Sequence, residues 1–320
     1  MKWFYKNIFM FDDMKNFSTQ KNIKKNNGKL FSSKYYPHIK NLSNFQISGG
    51  LRTNNFFKKT EKNKPLISVV TVCYNAQETL ENTIQSVLNQ DYDNVEFIII
   101  DGNSSDNSLN IIQKYNKYID LWISEKDDGI YNAINKGILL STGSIIGILN
   151  ADDTYTKNAL TLVKKYYIEN NIDFLFGSVK KDRLLSGFHI NKIIWKFNIY
   201  PAHSSGFFIS QRAQMISGLY DESFNLHADY DLMYKIICKH KLKGMAMDRD
   251  HITGIFNIFG KSSKESKFNY FYEEFKIRKK NNQNIFFITF LFFLKIIYNQ
   301  IHNLNIFKKF LNKLRKIISF

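Results

Sequence analysis

Two successive aspartates, Asp152 and Asp153, leave the apolar run Ile145-Ile146-Gly147-Ile148-Leu149 through Asn150-Ala151. Adjacent carboxylates repel one another unless a cation or a donor-rich cap offsets their charge. A hard divalent ion, Mg²⁺ or Mn²⁺, suits one or two protein carboxylates together with substrate phosphate. The turn is therefore expected to hold a metal that bridges to a diphosphate; the alternative is that Asp153 only opens the next helix. Two more polar clusters directly follow apolar runs: Tyr74-Asn75, and Asp101-Gly102-Asn103-Ser104-Ser105-Asp106. A carboxylate at Asp101 can accept from a base imide or a ribose hydroxyl, whereas Asp101, Asn103 and Ser105 equally suit helix caps or Asx turns. Neither a GxxxxGK[ST] loop nor a GxGxxG turn is present, so metal is left as the means of neutralising a diphosphate.

Such residues act together only if the chain gathers the ends of several strands. The spacing predicts this. Buried-strand runs at 67–73, 95–100, 121–124 and 144–149 alternate with helical periodicity through Leu80, Ile84, Val87 and Leu88, through Leu109, Ile112 and Tyr115, and through Ile130, Ile134 and Ile138. Alternation of that kind implies right-handed βαβ units and a mostly parallel sheet covered on both faces. The expected fold is α/β and doubly wound, with ligands beyond the carboxyl ends of the strands. Further along, a helix is expected at 159–167, strands at 174–176, around Phe188, at 207–209 and at 254–259, and a helix at 232–238. Three regions follow: a low-complexity basic extension (1–64), an α/β domain (65–260) and a basic, apolar helical segment (261–320), the last amphipathic in part.

Charge distribution limits the partners. The net charge is +17, but residues 1–64 hold 14 Lys+Arg against 3 Asp+Glu and residues 261–320 hold 13 against 3, leaving 65–260 with 18 against 22. A nucleic-acid reader needs clustered positive charge on the domain that reads, so nucleic acid is not expected as a partner. Cys73 and Cys238 lie outside any CxxC or CxxH context, which suits a reducing cytoplasm. The N-terminus has no small-residue cleavage site after its aromatic stretch. The longest apolar run, 285–294, is half the length of about 20 residues that a spanning helix needs. Beyond it, Leu304, Phe307, Leu311, Leu314 and Ile318 share one helical face, with Lys308, Lys309, Lys313, Arg315 and Lys316 around it, as in a helix lying on an anionic membrane surface. The expected location is cytoplasmic, peripheral on the inner face of the membrane.

Taken in order, the stretches 67–75, 101–106, 124–137, 149–153 and 228–232 resemble the family 2 glycosyltransferases of GT-A fold, especially those of bacterial polysaccharide assembly. The resemblance spans 65–260. It implies an inverting transfer of a sugar from a nucleotide-sugar, a UDP-sugar in particular, to a hydroxyl of a glycan or lipid-linked acceptor. It places Thr71, Tyr74 and Asp101 at the nucleobase and ribose, with Tyr74 stacking on a pyrimidine, and Asp152 and Asp153 on the metal. Asp229 falls on the general base, while Ala228 stands where the family has a glutamate. Asn150 replaces the more common aspartate at the start of the metal turn, which leaves that site one charge poorer. Asn75 and Ser104 belong to the nucleotide loops. Asp127-Asp128-Gly129 with Asn135 and Lys136 is expected to approach the sugar or diphosphate, the alternative being a solvated loop and helix face. His203 suits either the acceptor site or a structural bond, and Asp231 is a weaker candidate that orients a loop or pairs with a lysine. A nucleotidyltransferase would present a Gly-rich, basic loop where Tyr74-Asn75-Ala76-Gln77 stands, and a catalytically inactive nucleotide-binding module would keep the pocket without turnover.

Overall fold

The computed structural model describes residues 17–20, 24–25, 47–188, 204–257 and 266–303. Its early strands are β1 (Lys24–Lys25), β2 (Ile47–Gly49), β3 (Phe56–Phe57), β4 (Ile67–Cys73), β5 (Val95–Asp101), β6 (Leu121–Ser124) and β7 (Ile145–Ile148). Then come β8 (Thr154–Tyr155), β9 (Phe174–Phe176), β10 (Ser178–Lys180), β11 (Leu184–Leu185), β12 (Phe207–Ser210), β13 (Gly244–Ala246) and β14 (Ile252–Ile255). The helices are α1 (Leu80–Leu88), α2 (Ser108–Lys114), α3 (Ile130–Leu140), α4 (Ala159–Asn170), α5 (Gln211–Ser217), α6 (Ala228–Tyr234), α7 (Lys267–Lys280) and α8 (Ile285–Asn303).

An eight-stranded mixed sheet in the order β13-β9-β12-β7-β4-β5-β6-β2 carries the molecule. Its centre, β7-β4-β5-β6, is parallel. From β4 the chain winds outward through β5 and β6, then returns to the other side of β4 as β7. That reversal between β4 and β7 is a topological switch point, where a ligand crevice opens beyond the strand ends. All seven residues of β4 and all seven of β5 are buried, as continuous apolar strands require when helices cover both faces. Side-chain alternation divides the core. Val70, Val72, Ile98 and Ile100 pack with α3 and α6, whereas Val69, Cys73, Phe97 and Ile99 pack with α1, α2 and α4. Gly137 lets α3 lie directly on β4, since a Cβ there would stand 2.1 Å from Val70 Cγ1. A smaller sheet, β11-β10-β14-β8, flanks the turn that carries Asp152.

Helices and strands predicted between 67 and 176 stand where the periodicity puts them. Three expectations change. Phe188 is not in a strand but packs on Phe174 and Phe176, with ring centroids 5.4 and 5.3 Å away. The helix predicted at 232–238 begins earlier, as α6, and ends in a π-helical turn, Lys235–Lys239. The strand predicted at 254–259 is β14, Ile252–Ile255, with 258–259 outside the described residues. Residues 47–64 also pack on the sheet: β2 pairs antiparallel with β6, Arg52 is buried against Glu96 at 3.2 Å, and Lys58 is buried against Asp120 at 2.6 Å. Polar composition concealed this segment, because buried ion pairs join its interior contacts beside the packing of Phe57.

The C-terminal helices also join the folded unit. Glu273 of α7 accepts from the backbone N–H groups of Asn225, Leu226 and His227 at 3.1, 2.7 and 2.7 Å, and Asn281 Nδ2 donates to Asp231 at 2.7 Å. No helix among the described residues is long and apolar enough to cross a membrane. The amphipathic stretch predicted beyond residue 303 lies outside the described residues, as does His203.

Candidate active site

The parallel register sets Cys73, Asp101 and Ser124 side by side at the carboxyl ends of β4, β5 and β6. Asp101 is wholly buried there and accepts from Ser104 Oγ at 2.5 Å, Ser104 N at 3.1 Å, Ser124 Oγ at 2.6 Å and Cys73 Sγ at 3.3 Å. Both of its oxygens accept from protein donors, and these bonds shape the loop after β5. Ser104 and Asn75 complete that loop. Asn75 N donates to Ser104 Oγ at 2.8 Å, and Asn75 Oδ1 accepts from Ser105 N at 2.8 Å. Asn75 takes a left-handed conformation, φ 50°, which asparagine tolerates better than most residues. Thr71 is fully buried, and the alternation of β4 puts it on the side of Val69 and Cys73.

Tyr74 is the first residue beyond β4 and is 56% exposed. Its ring borders Gly102, where a Cβ would meet Tyr74 Cδ2 at 3.4 Å and Asp127 Oδ2 at 2.4 Å. Tyr74, Gly102 and Asp127 thus converge on one spot, where the glycine leaves room for the Asp127 carboxyl. Sequence reading singled out Asp128, but Asp128 is exposed and Asp127 is the half-buried neighbour that turns inward. Burial raises the Asp127 carboxyl above its usual range, and Asp127 Oδ1 accepts from Gly129 N at 3.0 Å. The spacing gave no way to choose between two adjacent aspartates in a loop.

Asn135 and Lys136 both make contacts within the protein. Asn135 is buried and clamps the 220–222 loop: its amide donates to Tyr220 O at 2.9 Å and Glu222 Oε1 at 2.7 Å, and its oxygen accepts from Tyr220 N at 2.9 Å. Lys136 pairs with Glu125 at 2.6 Å. Both positions on α3 therefore brace the walls of the crevice.

The metal turn divides its two aspartates. Asp152 is half-buried and Asp153 wholly buried, with Asp153 Oδ1 accepting from Asn257 N at 3.2 Å and its carbonyl from Thr83 Oγ1 at 2.7 Å. Burial, and after it the charge of Asp152, pushes the Asp153 carboxyl up to about 7. Asn150 Oδ1 is buried without a hydrogen-bond partner among the described residues. Two carboxylates strained by one another, beside an unsatisfied amide oxygen, fit a hard cation in donor chemistry. No group of three His, Cys, Asp or Glu converges among the described residues.

Asp229 stands in the first turn of α6, half-buried. Tyr131 Oη, from the first turn of α3, donates to Asp229 Oδ1 at 3.2 Å. Because α3 starts where the loop after β6 ends, this bond brings Asp229 to the carboxyl edge of the sheet. The Tyr131 ring stacks on Tyr220, centroids 5.5 Å apart. Burial raises the Tyr131 phenol well above its usual range, with Asp229 adding to the rise, so it stays protonated as a donor. Tyr131 was not among the predicted residues; its sole sequence signal is its place beside Gly129-Ile130. Asp231 plays the structural part foreseen for it. Fully buried, it binds Lys235 at 2.7 Å and Lys280 at 3.2 Å.

The fold is of the GT-A type, and residues 68–210 match the family model described as Glycosyl transferase family 2. Over part of their length, the chain is homologous to bacterial surface polysaccharide glycosyltransferases. Over 116 residues it is 34% identical to TuaG of Bacillus subtilis, a glycosyltransferase named for teichuronic acid biosynthesis, covering 35% of this chain and 46% of TuaG. Over 114 residues it is 32% identical to the Escherichia coli β-1,3-glucosyltransferase WfgD, covering 35% of this chain and 45% of WfgD. The matched stretch therefore spans about half the length of these relatives. Among solved structures, S. aureus TarS 1–349 aligns with TM-score 0.54 at 14% identity, over 71% of this chain and 69% of that one. The mannosyltransferase PcManGT from Pyrobaculum calidifontis aligns with TM-score 0.54 at 12% identity, over 86% of this chain and 84% of that one.

Proposed function

We propose that this protein transfers a sugar from a nucleotide-sugar, most readily a UDP-sugar, to a hydroxyl of a glycan or lipid-linked acceptor in surface polysaccharide synthesis, with inversion at the anomeric carbon. The observation that carries the reading is Asp229, half-buried at the crevice with its carboxylate held by Tyr131. Displacement in one step needs a base on the attacking hydroxyl opposite the leaving diphosphate. Asp229 receives that proton. Tyr74 offers an exposed ring to a pyrimidine, and Asp127, beside it at Gly102, faces the sugar and ribose. Asp152, with Asp153 and Asn150 behind it, would hold Mg²⁺ or Mn²⁺, which supplies charge neutralisation to the departing diphosphate. The relatives support the donor class. WfgD is a UDP-glucose enzyme acting on a diphosphoundecaprenol-linked sugar, TarS is solved with UDP and with UDP-GlcNAc, and PcManGT is solved with GDP-mannose and Mn²⁺.

The test is Asp229→Asn. Turnover should fall by about 10²- to 10⁴-fold, with donor affinity by calorimetry unchanged. Near-normal turnover would remove Asp229 from the chemistry. Donor binding by the wild type without transfer or hydrolysis, across acceptors and metals, would favour a catalytically inactive nucleotide-binding module.

A further inference from the structure

Helix α8 is built inside out. A surface helix ordinarily turns apolar residues to the core and charged ones to water. Among 285–303 the one Lys, Arg, Asp or Glu is Lys295, and it points inward, 3% exposed, with Nζ bonded to the buried Glu274 of α7. Glu274 also accepts from Arg278 Nε at 2.7 Å, so two cations and a carboxylate fill the α7–α8 seam with Ile288 and Leu291. The opposite face carries Phe286, Phe290, Phe293 and Ile297, spaced as one helical stripe and 83%, 62%, 57% and 53% exposed. On α7, Phe268 and Tyr272 are exposed as well, their rings stacked with centroids 6.1 Å apart.

A contiguous apolar patch kept in water marks a binding surface. Its charge surroundings say for what. Residues 261–320 hold 13 Lys+Arg against 3 Asp+Glu, and two of the three acids, Glu273 and Glu274, are buried in internal bonds. Among the described residues Lys267, Lys276 and Lys279 of α7 face solvent, and the sequence holds five more Lys and Arg at 308–316. Pairing two copies through this face would bring like charges together, whereas an anionic bilayer takes both the aromatic rings and the lysines. We infer that the outer face of α8, with Phe268 and Tyr272 of α7, seats on the surface of an anionic phospholipid bilayer. No described helix crosses such a bilayer, so the contact is peripheral.

The seat is fixed relative to the catalytic crevice. Glu273 holds the 225–227 backbone, and Lys280 and Asn281 hold Asp231, two residues from Asp229. Docking thus sets the height of the acceptor site above the lipid, although binding to lipid stands independently of the catalytic reading.

Flotation of the full chain tests it, on vesicles of phosphatidylcholine containing about one third phosphatidylglycerol and on vesicles of phosphatidylcholine alone. The full chain should float with the anionic vesicles and release as salt rises. The variant Phe286→Ser, Phe290→Ser, Phe293→Ser should float at least about tenfold less with its melting temperature retained, since these rings touch solvent rather than core. Equal flotation of variant and wild type would overturn the inference, as would equal binding to both kinds of vesicle. Absence of flotation together with a dimer in sedimentation that the triple variant abolishes would assign the face to a second copy and overturn it too.

Discussion

A carboxylate serves as a base only if its surroundings hold it toward the step, and Asp229 Oδ1 accepts from Tyr131 Oη at 3.2 Å and from Tyr230 N at 3.0 Å. If the phenol orients the base, Tyr131→Phe should lower kcat by up to about tenfold with donor affinity by calorimetry unchanged. A Tyr131 that only packs against Tyr220 would leave kcat where it is. At the metal turn the two aspartates should behave unequally. Asp152 reaches the crevice, so Asp152→Asn should remove the gain in donor affinity that Mn²⁺ confers, measured by calorimetry with and without chelator. If the gain persists in the variant, the cation is held elsewhere.

Between elements, polar contacts do the joining that apolar packing does inside the sheet. Arg52 and Lys58 draw the 47–64 segment onto the amino ends of the strands, and α7 grips the approach to α6 through Glu273, Lys280 and Asn281. Lys280 also bonds Asp221. Burial alone would raise the Asp221 carboxyl, but the bonds from Lys280 and Ser223 outweigh it and bring it from 3.8 to about 2. A folded value below the unfolded one gives stabilisation that is complete above about pH 4 and disappears as pH falls through about 2. Asp221→Asn should thus lower stability at neutral pH and flatten the decline between about pH 4 and 2, in urea titrations run across that window. A parallel decline in variant and wild type would show that the Lys280 contact contributes nothing.

For the molecule as a whole, the question is how far the catalytic unit extends. Residues 68–210 match the family, yet the structure ties both flanks to that domain. Ending the chain before α7 would leave Asp231, which has no exposed surface, without Lys280 and Asn281, and would strip three backbone N–H groups of Glu273. Lys235 would still pair with Asp231, so the loss is smaller than the roughly 3–5 kcal/mol of leaving a buried charge uncompensated. The truncated protein should melt well below the full chain; an unchanged melting temperature by calorimetry would mean that α7 and α8 fold apart from the domain.

Apolar periodicity was sufficient to place β4 to β7 and α1 to α4, because strands buried on both faces and amphipathic helices must write their burial into local residue type. The same pattern located the loops at 74–75, 101–106 and 150–153, since ligand loops follow buried strands. Which side chain in each loop meets a ligand was another matter. Asp101 and Asn135 make internal bonds and Thr71 is buried on β4, positions that register and strand facing set, while Asp127 and Tyr131 gain theirs from Gly102 and from α6, one strand and roughly a hundred residues away. Nor could a polar sequence reveal that 47–64 closes the sheet edge, or that α8 buries its lysine and shows its phenylalanines. Those outcomes depend on long-range pairing, which residue type alone does not encode.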